Sequence, residues 1–165
     1  MSTQTDYNAQ EWKAIVAAPT AAGLYVSLAD ASGLVGIAKE AMAVGKAITD
    51  SAASGAPDIV KSLAESVKVA GGRPEIPDVP KGDRGQMKAT LISAIKNAVT
   101  AVEAKSPVEA AAYKSWLVSV ASNVANASKE GGFLGIGGTL VSAEEKEALK
   151  NLADALGVAP PTLPA

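Results

Sequence analysis

Met87-Lys-Ala-Thr-Leu91-Ile-Ser-Ala94-Ile95-Lys-Asn-Ala98-Val-Thr-Ala-Val102, with Ser106-Pro107-Val108-Glu109 close behind it, decides how this chain is read. Met87, Leu91, Ala94, Ile95, Ala98 and Val102 recur every three or four residues, the spacing that puts them on one face of an α-helix. Ser106 then suits an N-cap, Pro107 a first helical position and Glu109 the reciprocal half of a capping box, so a second helix is expected at once. Tyr113, Trp116, Leu117, Val120 and Val124 form its apolar face as far as about Lys129.

The same signals extend in both directions. Asn8 with Glu11 opens a helix over about Ala9 to Ala18 that buries Trp12, Ile15 and Val16; Pro19 should stop or kink it, leaving Leu24, Tyr25 and Leu28 to a second helix. A third is expected from about Leu34 to Ala53 with Ile37, Ala41, Val44 and Ile48 on one face. Pro57 starts a fourth, carrying Ile59, Val60, Leu63 and Val67 and ending at Gly71-Gly72. From Gly71 to Gly85, Pro74, Pro77 and Pro80 fall at every third position, which no helix sustains; an extended linker is expected, with a PxxP ligand the rarer alternative. The last helix opens at Ser142 with Glu145, turns Leu149, Leu152 and Leu156 inward and ends at Gly157, before a loose tail over 158–165.

The expectation is therefore an all-α single domain of about seven helices. An N-terminal half (8–70) and a C-terminal half (86–157) are joined by the connector 71–85. A faint echo relates them, at unequal helix-to-glycine spacing: Tyr25-Val-Ser-Leu28 leads to Ser32-Gly-Leu-Val-Gly-Ile37 as Leu117-Val-Ser-Val120 leads to Gly131-Gly-Phe-Leu-Gly-Ile136.

Composition narrows the chemistry. The 165 residues include 34 Ala, six aromatics, no His and no Cys, so thiolate nucleophiles, His-assisted catalysis, disulfides and the usual zinc and haem ligand sets are excluded. Small side chains let helices pack closely, and a chain of this length closes a core without staples. With 15 Lys+Arg against 17 Asp+Glu, there is no excess positive charge to track nucleic-acid phosphates. The stretch Ala14–Ala38 carries only Asp30 as a charge, but Pro19, Thr20, Ser27 and Ser32 interrupt it and Ala and Gly dominate it, so buried core helices are expected and not a transmembrane span. A polar start without a basic, then apolar, leader predicts a cytoplasmic protein.

Gly131-Gly-Phe133-Leu134-Gly135-Ile136-Gly137-Gly138-Thr139 is the most unusual stretch. It follows a helix and has Leu140 where a dinucleotide fingerprint needs its third glycine. No phosphate-loop Gly-Lys-Ser/Thr occurs here, nor at Val44-Gly45-Lys46-Ala47. Phe133, Leu134 and Ile136 either plug the core or stay exposed to dock a protein partner or a membrane surface. Ser93-Ala-Ile-Lys96 matches S-x-x-K but lacks its companion motifs, and Glu144-Glu145 is explained by a helix N-terminus. Oxygen ligands alone can hold Ca²⁺ or Mg²⁺; Asp30, Glu40, Glu130 and Glu145 are the candidates, flanking the two glycine motifs, with solvated helix-end charges as the plainer account.

The stretch Gly138-Thr-Leu-Val-Ser142-Ala-Glu-Glu145 through Leu156-Gly157-Val158 resembles the second half-motif of TerB-like helical domains of tellurite resistance and stress response, with a turn, a Ser cap, an acidic pair and a helix closing on Leu-Gly. Asp30 with Glu40 corresponds to the first half-motif at a longer spacing, and Glu130 with the glycine loop replaces the family's compact Asp-Gly turn. The resemblance implies an acidic cation site and a stress-associated role. The expected function is thus a non-enzymatic helical interaction module that self-associates or docks a partner through apolar surface near the glycine loop. A divalent-cation or small-ligand binder is the alternative.

Overall fold

The computed structural model describes residues 2–29, 44–51, 56–79, 82–130 and 141–162. Among them the chain is all-helical: a short 3-10 turn at Gln4–Asp6, then α1 (Ala9–Ser27), α2 (44–51), α3 (Asp58–Val69), α4 (Arg84–Lys105), α5 (Pro107–Glu130) and α6 (Ala143–Leu156). One apolar cluster draws on every helix, so the segments before and after the proline-rich connector share a single core.

α1 is the centre of the bundle. It packs on α3, α4, α5 and α6, and residues 17–23 are buried on every side, as an apolar helix surrounded by others must be. This is where the alanines matter: Ala17, Ala18, Ala21, Ala22 and Gly23 keep the helix slim where its neighbours converge. A Cβ at Gly23 would lie 3.0 Å from Val44 Cγ2 and 3.1 Å from Val124 Cγ2, so α2 and α5 both close on that glycine. The start of α1 is set as its sequence requires, with Glu11 N–H donating to Asn8 Oδ1 (2.9 Å) and Asn8 N–H to Glu11 Oε2 (2.8 Å).

The structure departs from the sequence expectations at Pro19, Ser106 and Pro57. The helices anticipated on either side of Pro19 are one, because α1 runs through the proline. Proline removes the N–H that would bond the carbonyl four residues earlier, that of Ile15, and the fully buried Tyr113 hydroxyl donates to that carbonyl instead (3.0 Å). The expected capping box at Ser106 is replaced by other bonds. A single residue separates α4 from α5, so Ser106 N–H is taken by the Val102 carbonyl as α4 ends. Its hydroxyl meets Ser2 Oγ (2.5 Å) and the Tyr7 hydroxyl (2.8 Å), and Glu109 Oε1 accepts the Asp58 N–H (3.0 Å), capping α3. Pro57 accordingly stands just outside α3, at its N-cap.

The remaining boundaries follow local signals. α4 buries Leu91, Ile95, Ala98, Val99 and Val102, and α5 buries the full predicted stripe from Tyr113 to Val124. α3 ends in a Schellman turn, Gly71 N–H to the Lys68 carbonyl and Gly72 N–H to that of Val67, with φ of 73° and 76° that suit glycine. Of the expected third helix, 44–51 is helical and the rest falls outside the described residues, as do the glycine stretches carrying the internal echo. No helix among the described residues is long and apolar enough to cross a membrane.

Candidate docking groove

An open groove of about 820 Å³ runs between α1 and α3. Three features of the chain build it. The 3-10 turn contributes Gln4, and the turn is fastened by the buried Ser2–Ser106–Tyr7 hydroxyl cluster and by Ser62 Oγ donating to the Ser2 carbonyl (3.0 Å). α1 contributes Ala9, Trp12, Lys13 and Val16. α3 contributes Ser62, Glu65, Ser66, Val69 and Ala70, and the chain that follows the Schellman turn adds Glu75 to the wall.

The groove is apolar within and ionic at its rim. Trp12 is buried beneath it, its ring 5.8 Å from that of Tyr7, and Val16, placed by periodicity in the core, is only half-buried and lines the groove. Val69 is 82% exposed, and Ile76, next in the chain to Glu75, is 59% exposed; with Val108 they are the large apolar side chains most open to water among the described residues. At the rim, Lys13 pairs with Glu75 (3.6 Å) and Lys68 with Glu65 (3.7 Å), solvent-facing pairs each worth about 0–1 kcal/mol. Ser62 and Ser66 donate to the carbonyls of Ser2 and Ser62, so their protons are committed to main chain. The arrangement suits the burial of an apolar segment flanked by charges.

The sequence-derived candidates are distributed differently. Asp30, Glu40, Phe133, Leu134 and Ile136 lie outside the described residues, and Glu130 is the last residue of α5, its side chain likewise outside them. Glu145 is 2% exposed and closes the α6 capping box, with its Oε2 accepting from Ser142 N–H (2.8 Å) and Ser142 Oγ (2.9 Å). Among the described residues no three acidic side chains converge in a group able to hold a metal ion. Ser93 and Lys96 are both exposed on α4. The groove residues carried a faint signal in the sequence: Val69 is apolar but off the Ile59–Leu63–Val67 stripe, and Ile76 is an apolar residue inside the proline-rich connector.

No protein-family model matches the chain, and neither a curated protein nor a solved structure matches it.

Proposed function

We propose that this chain is a non-enzymatic helical interaction module that self-associates or docks a protein partner through apolar surface. The observation that carries this reading is the α1–α3 groove, whose lining includes the 82% exposed Val69 and Glu75, next in the chain to the 59% exposed Ile76, since large apolar side chains left open to water at a groove suit contact with a partner. Phe133, Leu134 and Ile136 are proposed as a second contact, on the strength of three large apolar residues within a glycine-rich loop. The resemblance of 138–158 to TerB-like domains is the support for a stress-associated setting. The test is sedimentation of the purified chain over a concentration series, with Val69→Asp/Ile76→Asp and Phe133→Asp/Leu134→Asp separating the two surfaces.

A further inference from the structure

We propose that residues 73–79 form a strap whose closure over the groove is set by ionic strength. The inference deepens the docking reading, on which its role rests, but the motion itself is a property of the free chain.

The strap is hydrogen-bonded at one end and held along its length by side chains alone. The Schellman bonds finish at the Gly72 N–H, and from Arg73 to Val79 no main-chain hydrogen bond joins the segment to the described residues. Gly71 and Gly72 have positive φ, and no atom lies within 4 Å of where their Cβ atoms would stand, so the turn faces open space while its two N–H groups stay bonded to the end of α3.

Besides the half-buried Pro74, Pro77 and Val79, the last packed against the apolar core, two contacts hold the strap down. One is the Lys13–Glu75 pair, whose side chains are 72% and 44% exposed, which leaves it weak and open to screening by salt. The other is a close crossing over the buried Gly45 of α2: a Cβ there would lie 3.2 Å from the Gly72 carbonyl oxygen and 3.7 Å from Pro74 Cδ. The strap's faces agree with this attachment, for Pro74, Pro77 and Val79 are half-buried against the body while Glu75 and Ile76 are exposed. Because Glu75 and Lys13 both line the groove, breaking their pair alters its lining and removes the charge that neutralises Lys13.

The chain contains no cysteine, so at concentrations where sedimentation shows a monomer a nitroxide on Ile76→Cys reports the strap, and one on Val108→Cys, on a residue 92% exposed in the first turn of α5, serves as reference. The mobile fraction of the Ile76→Cys spectrum should rise about two- to fivefold between low and molar salt, the range a single exposed ion pair supports, while the reference stays unchanged. Lys13→Gln should show the raised fraction already at low salt and lose the salt response, and Lys13→Glu/Glu75→Lys should restore both. Gly45→Val, which pushes on the crossing, supplies the spectrum of a released strap. An Ile76→Cys spectrum that ignores salt and Lys13→Gln, yet changes with Gly45→Val, overturns the proposal. None of these readings requires a partner, so a monomeric chain in sedimentation leaves the strap result standing, and a static strap leaves the docking reading standing.

Discussion

The Tyr113 hydroxyl donates 3.0 Å across the α1–α5 contact to the Ile15 carbonyl, the carbonyl that Pro19 deprives of its helical partner. Burial pushes the Tyr113 pKa far above its ordinary 10.0, with Tyr7 adding to the shift, so the hydroxyl keeps its proton and remains a donor. A helix interrupted in its own bonding is thereby completed by a residue 98 positions away, and α1 stays continuous through the middle of the core.

Tyr113→Phe should cost about 1–3 kcal/mol, the price of a buried carbonyl left without a donor. In a Pro19→Ala background, the introduced alanine supplies the missing N–H and the cost of Tyr113→Phe should shrink. A double-mutant cycle by urea unfolding then reads a coupling of about 1 kcal/mol; additive effects would show that the hydroxyl and the proline act independently.

Gly23 is expected to reject side chains in proportion to their size. Gly→Ala within a helix ordinarily gains about 0.5–1 kcal/mol. Contacts of 3.0 and 3.1 Å with Val44 and Val124 oppose that gain here, so Gly23→Ala should be neutral or worse. Gly23→Val should cost about 1–3 kcal/mol by overpacking, partly relieved by Val124→Ala. Thermal melts of the three variants check this, and a stabilised Gly23→Ala would contradict the crossing of α1, α2 and α5 at that residue.

Acid should act through the N-terminus of α1. The Asn8 N–H bond, then the Lys105 ammonium at 3.1 Å, hold the Glu11 carboxyl below its ordinary 4.5. A folded-state pKa lowered in this way contributes stability that is present above 4.5 and is lost as pH falls through the folded value. The advantage of the wild type over Glu11→Gln should therefore be constant near neutrality and vanish at acid pH. Asp6, lowered chiefly by the Thr3 N–H, is untouched in that comparison. Urea midpoints against pH decide it, and a gap that persists below the carboxylate range would contradict the assignment.

Ser142 and Glu145 are expected to behave as a helix cap. Ser142→Ala should lower stability by about 1 kcal/mol. The loss from Glu145→Gln should be the same with and without millimolar calcium, because a ligand held by the folded state would add its own binding energy to the wild type alone. A gap that widens with calcium would return Glu145 to the cation candidates.

Much of the fold was legible because its signals are local. The α5 stripe from Tyr113 to Val124, the boxes at Asn8–Glu11 and Ser142–Glu145, and the glycine stops at 71–72 and 157 each depend on residues within a turn or two. What escaped depends on partners far along the chain. Pro19 reads as a breaker until Tyr113 is beside Ile15, and Ser106–Glu109 reads as a capping box until Ser2, Tyr7 and Asp58 compete for the same atoms. The groove was less legible still, since Trp12 and Val16 belong to an ordinary core stripe and only the return of the chain at Gly71-Gly72 makes a wall of Glu75.

Sedimentation velocity from low-micromolar to near-millimolar protein decides whether the chain is an interaction module working through exposed apolar surface. A species that grows with concentration is expected, weakened by Val69→Asp/Ile76→Asp, by Phe133→Asp/Leu134→Asp or by both, while the far-ultraviolet spectrum stays helical. A monomer at every concentration would contradict self-association, and an oligomer indifferent to all four substitutions would contradict the surfaces assigned to it.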